Sequence, residues 1–172
     1  MSFTDSLYLQ TMESHKVVDK HPFVTLIRNN KEAGDMYVNF NKLCILEIQT
    51  VINIKDQNLY KRLHRDVIVP EIKESAAVAM PNLLKHCREY PLESAYQFYL
   101  GLLFGGSMLK KMLPEHQDFL TYEDNKELIQ DFKQYLCDNV KEPEAFIKNV
   151  KKCYELIKVL FDEFYRELKY FP

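Results

Sequence analysis

The stretch Tyr96-Gln97-Phe98-Tyr99-Leu100-Gly101-Leu102-Leu103-Phe104-Gly105-Gly106-Ser107-Met108-Leu109-Lys110-Lys111 carries three of the four glycines in a chain of 172 residues. Its surroundings read as helix, with Pro91 suited to the first turn and Pro114 closing the segment after Met112. A glycine inside a helix costs ~1 kcal/mol relative to alanine, so the three together forgo about 3 kcal/mol. In a chain so poor in glycine, that loss asks for a cause. One cause is a kink that brings bare backbone against something large and flat. The other is close helix packing, because Gly101 and Gly105 also make a GxxxG pair.

Outward from this segment the chain reads as helix throughout. Pro143 opens a last helix whose stripe of Phe146, Val150, Cys153, Tyr154, Ile157, Leu160, Phe161, Phe164 and Leu168 is the strongest amphipathic pattern present. Asp124 followed by Glu127 predicts a capping box for a helix over Asn125–Asn139. Toward the N-terminus, a first helix is expected from Thr4 to Lys20, a break at His21–Pro22, and a short helix through Arg28. A longer helix follows over Ala33–Ile54. A segment from Asp56, with Leu59, Leu63, Val67 and Ile68, runs to Pro70, and a short helix begins around Pro81 and ends near Cys87. Strand signals are weak. The expectation is an all-α, single-domain helical bundle of about eight pieces spanning residues 1–172.

Composition excludes several classes. Hydrophobic residues make up 47% and charged residues 28%, ordinary for a folded domain and unlike a disordered chain. The net charge is −2, with Lys and Arg spread among Asp and Glu, so no concentrated basic face predicts nucleic acid as a partner. Cys44, Cys87, Cys137 and Cys153 lack CxxC spacing and read as reduced packing thiols. No basic-then-apolar leader opens the chain. The longest apolar run, Phe98 to Leu109, falls short of the ~20 residues a membrane span needs. The expectation is a soluble protein of the cytoplasm or an organelle lumen, without a membrane anchor.

His15 is the second focus. It falls on the apolar side of the first helix with Tyr8 and Met12, and Asp19 lies one turn further on. A metal-binding imidazole needs its other ring nitrogen held by a carboxylate, carbonyl or water, and Asp19 supplies one. The plainer alternative is a half-buried histidine with an i,i+4 carboxylate. The Glu-x-x-His pair of a ferritin-like di-iron site is absent, since Met12, Val18, Lys61, Leu83 and Leu113 stand three residues before the five histidines. His64 and His86 read as surface or satisfied histidines, and His21 and His116, beside prolines, as capping or loop residues.

These features, in this order, resemble the haem oxygenase family. Its signature, YLGDLSGGQxLKK, is similar to Tyr99–Lys111 here in all three glycines and both lysines. Met12-Glu13-Ser14-His15, with Phe23 after it, resembles the family's proximal helix. Weaker similarity covers Leu63-His64-Arg65-Asp66, Phe132-Lys133-Gln134 and Leu160-Phe161-Asp162-Glu163. The resemblance implies His15 as the axial iron ligand, oriented by Asp19. It implies Gly101, Gly105 and Gly106 over the opposite haem face, with Tyr96 at the haem edge or its waters. Lys133 would pair with a propionate, and Tyr154 would pack along the porphyrin. The implied reaction is cleavage of haem to biliverdin, ferrous iron and carbon monoxide, using O2 and electrons from NADPH through a reductase or ferredoxin.

Four positions depart from the family pattern. Leu102 stands where many members have the Asp that anchors distal waters, and Phe104 replaces a small serine. Cys137 falls where an arginine often binds propionate, and Tyr8 where another basic residue stands. A leucine cannot hydrogen-bond to water, so proton delivery would need other groups. Three readings follow: a haem-cleaving enzyme, a protein that binds or senses haem without opening it, and a helical interaction module that has lost haem.

Overall fold

The computed structural model describes residues 1–64 and 78–170, and within them every regular element is helical. The helices are α1 (Phe3–Asp19), α2 (Pro22–Leu26), α3 (Lys31–Gln49), α4 (Leu59–His64), α5 (Ala79–Glu89), α6 (Pro91–Ala95), α7 (Gly101–Met112), α8 (Gln117–Leu120), α9 (Asn125–Asn139) and α10 (Pro143–Tyr170). A π-helix, Tyr96–Leu100, joins α6 to α7 without a break, and a 3-10 turn, Pro114–His116, leads into α8. The all-α architecture is as expected. The Pro114–Leu120 pair of turns is additional, because Pro114 reads in the sequence only as a stop. Val67, Ile68 and Pro70 of the expected fourth segment lie outside the described residues.

Helix starts follow from local chemistry. Ser2 caps α1 reciprocally with Asp5: the Asp5 N–H donates to Ser2 Oγ at 3.2 Å, and the Ser2 N–H donates to Asp5 Oδ2 at 3.3 Å. Asn30 accepts from the Ala33 N–H at 3.0 Å to start α3. His21 caps α2 with a ring nitrogen, Nδ1 accepting from the Phe23 N–H at 3.0 Å, ahead of Pro22 in the first turn. The capping box expected at Asp124 is not formed: its backbone sits at φ −102°, ψ 39°, and its side chain caps nothing. Helix α3 also stops earlier than expected, at Gln49, where Thr50 closes it.

The core is built on α10, which packs against α1, α2, α3, α5, α6 and the π-helix. Every residue of its apolar stripe from Phe146 to Leu168 is buried. Around Phe161 the rings of Phe23 and Phe40 lie at 4.9 and 5.3 Å between centroids, and Phe23 also meets Phe164 at 5.2 Å. Such pairs add ~0.5–1.5 kcal/mol each beyond the apolar area they bury. Helix α1 lies along α10 with Leu7, Thr11 and Val18 inward. That orientation sets Met12 and His15 on the flank and leaves Tyr8 largely in solvent, not on the buried side expected for it.

Candidate functional site

His15 Nδ1 lies 3.0 Å from Asp19 Oδ2, one helical turn on, with the two side chains 42% and 58% exposed. The ring edge meets Tyr154 of α10 at 5.6 Å and 81°. The carboxylate lies beside Nδ1 and leaves Nε2 as the ring nitrogen turned away from it. Among the described residues Nε2 has no hydrogen-bond partner. Crowding by the surrounding protein lifts the Asp19 carboxyl above its ordinary value against the pull of His15. Burial likewise raises Tyr154, helped by its closeness to Tyr96 and Asp19. His15, Asp19, Tyr154 and Tyr96 are therefore brought into one neighbourhood.

Tyr96 ties the glycine-bearing segment to this neighbourhood. Its side chain lies beside that of Thr11, and burial raises the Tyr96 hydroxyl. Thr11 donates its hydroxyl proton to the Leu7 carbonyl at 2.8 Å. Tyr96 also opens the π-helix, whose wide turn is the feature immediately before the glycines. π-Helices occur mostly as single turns inside α-helices, frequently at functional sites.

The three glycines divide by environment. A methyl at Gly101 would meet only Gln97 of its own helix, at 3.8 Å, and a methyl at Gly105 would meet nothing within 4 Å. At Gly106 it would sit 3.2 Å from the Leu120 carbonyl oxygen and 3.7 Å from the Tyr122 ring. Gly106 therefore lets α7 approach the end of α8. This corrects its implied place with the other two on an open face, because its bare side is filled by Leu120. Among the described residues no neighbouring helix lies within 4 Å of a methyl at Gly101 or Gly105, so close packing through GxxxG does not account for them there.

Leu102 is 3% exposed and faces the core, whereas Phe104, 58% exposed, shares the open side of α7 with Met108. Lys133 of α9 holds its ammonium 5.5 Å from the centre of the Phe104 ring and feels the Asp5 carboxylate of α1. Cys137 is exposed one turn beyond Lys133. Helix α9 thus packs against both α1 and α7, with Lys133 between Asp5 of α1 and Phe104 of α7.

Comparison with protein-family models, curated proteins and solved structures gives no match. Among the described residues, no three His, Cys, Asp or Glu side chains gather as a metal cage, and no helix is long and apolar enough to cross a membrane. A haem iron takes its protein ligand from a single imidazole and needs no such cage.

Sequence reasoning missed a polar network on the inner side of α7. Arg62 pairs with Asp56, the Tyr99 hydroxyl donates to Asp56 Oδ2 at 3.0 Å, and the guanidinium lies 4.0 Å over the Tyr122 ring. Burial pushes Tyr122 up to about 12 despite the nearby Arg62 charge. Asn125 donates to the Leu103 carbonyl at 2.6 Å, bracing α7 from below. Neither spacing nor residue type marked Asp56 or Arg62, which meet only through tertiary packing. Arg65 and Asp66, part of the middle-helix resemblance, lie outside the described residues.

Proposed function

We propose that this chain binds haem between α1 and the π–α7 segment and acts as a haem oxygenase, releasing biliverdin, ferrous iron and carbon monoxide. The observation that carries the proposal is the His15–Asp19 pair, an imidazole with a carboxylate 3.0 Å from Nδ1 and, among the described residues, no partner at Nε2. That is the donor arrangement a haem iron takes from a protein. The open side of Gly101 and Gly105 supports it, since a helix gives up ~1 kcal/mol at each glycine with no group from another helix opposite among the described residues.

In this reading His15 would ligate the iron through Nε2, with Asp19 beside Nδ1 to orient the ring. Gly101 and Gly105 add no side chain of their own to the opposite side, which Phe104 and Met108 flank, and Lys133 meets a propionate as a point charge. Tyr154 packs beside the imidazole. Haem supplies both the iron that activates O2 and the ring that is oxidised, with electrons arriving from NADPH through a reductase or ferredoxin. Tyr96, beside Thr11 of α1, is the hydroxyl of the distal segment that would order water.

A second reading, haem binding or sensing without cleavage, is favoured by one observation. The motif position that carries an acid in many haem oxygenases is Leu102, buried in the core, and the exposed side of α7 is occupied by Phe104 and Met108. Turnover separates the two. Haem-loaded protein given reductase, NADPH, O2 and catalase should lose haem absorbance and gain that of biliverdin. Haem that persists unchanged through the same treatment establishes the second reading.

A further inference from the structure

A cavity of about 330 Å³ lies between the 53–55 segment, the π-helix and α9, away from His15. Its floor is apolar: Tyr99 and Phe132 pack edge to face at 5.2 Å, and both are buried. Tyr135 continues the aromatic wall, 6.1 Å from Phe132, and remains partly exposed. The rim is charged. Asp131 and Asp138 stand on α9 and Lys55 on the facing segment, all three exposed. Asp138 accepts from Gln134 at 2.8 Å, whereas Asp131 has no ion-pair partner among the described residues.

The size falls at the lower end of the ~300–1,000 Å³ usual for small-molecule pockets, which combine an apolar lining with a few polar groups. Two carboxylates against one ammonium make the mouth net negative. Ring faces attract a cation as well, through their quadrupoles. The geometry points to a second ligand site, for a small organic cation with an apolar body, its ammonium at Asp131 and its hydrophobic part on Tyr99, Phe132 and Tyr135. This inference is independent of haem, because none of these residues belongs to the His15 neighbourhood.

The test is a titration of the haem-free, isotope-labelled protein with 2-phenylethylammonium chloride, followed by amide chemical shifts. Shifts should be confined to residues 53–55, 99 and 128–138. Asp131→Asn should weaken binding about two- to fivefold, the range expected for one exposed charge pair. Tyr135→Ala should weaken it without changing the melting temperature, because the ring is partly exposed. The isosteric anion 3-phenylpropionate should bind more weakly than the cation. Equal affinity for the anion, shifts centred elsewhere, an unaltered affinity in Asp131→Asn, or no shifts at about 10 mM ligand would each overturn the proposal.

Discussion

The adjacent glycines of α7 do different work although they differ by one position. Gly105 faces open space, so Gly105→Ala removes backbone freedom at no steric cost and should stabilise the haem-free protein by up to ~1 kcal/mol. The same methyl should weaken haem binding if bare backbone meets the ligand there. Gly106→Ala drives a methyl against the Leu120 carbonyl and should destabilise by about 1–3 kcal/mol, the range for overpacking. Urea unfolding of the two variants measures both signs; stabilisation by both, or loss from both, would contradict the division. The cysteines divide as sharply. Cys44, Cys87 and Cys153 are buried, and burial raises Cys44 and Cys153 well above the ordinary thiol range, whereas Cys137 is exposed. A thiol-specific dye should therefore label Cys137 alone in the native protein and all four cysteines in urea.

At the scale of elements, what was legible depended on whether one helix face or several helices decided the matter. The α10 stripe is legible because burial of one face repeats at helical spacing, and every residue from Phe146 to Leu168 in it is buried. The His15–Asp19 pair is legible for the same reason, since i and i+4 meet on one helix. The π-helix is not, because a one-residue widening leaves the apolar pattern of Tyr96–Met112 unchanged. The role of Gly106 depends on α8, whose existence the Pro114 signal concealed. Asp124 and Glu127 have the right spacing, but the chain enters α9 in the wrong backbone conformation for a cap.

His86 belongs to this scale because it links α5 to α10. Its Nε2–H donates to the Asn149 carbonyl at 3.0 Å, and burial holds the ring below its ordinary 6.5 despite that bond. A histidine whose folded value is depressed binds its proton more readily when unfolded, so it stabilises the fold above 6.5. That contribution is lost as pH falls from 6.5 through the folded value. The urea midpoint should drop between pH 7.5 and 5.5 in the wild type. His86→Gln keeps a donor for Asn149 and should remove part of that drop; an undiminished pH dependence would contradict the assignment.

Across the whole molecule, α10 is the scaffold on which both sides of the proposed haem site are hung. It carries Tyr154 to His15, packs α1 along its length, and meets α6 and the π-helix. The two candidate surfaces lie on different sides of the π–α7 segment, with Tyr96 directed to α1 and Tyr99 to the 53–55 segment and α9. The most direct test of the central claim is a haemin titration of wild type and His15→Ala followed by absorption. The account predicts a saturable Soret band in the wild type and its loss or marked shift in His15→Ala, with the far-ultraviolet helix signal unchanged. A band that is the same in both proteins, or absent from the wild type, would contradict it.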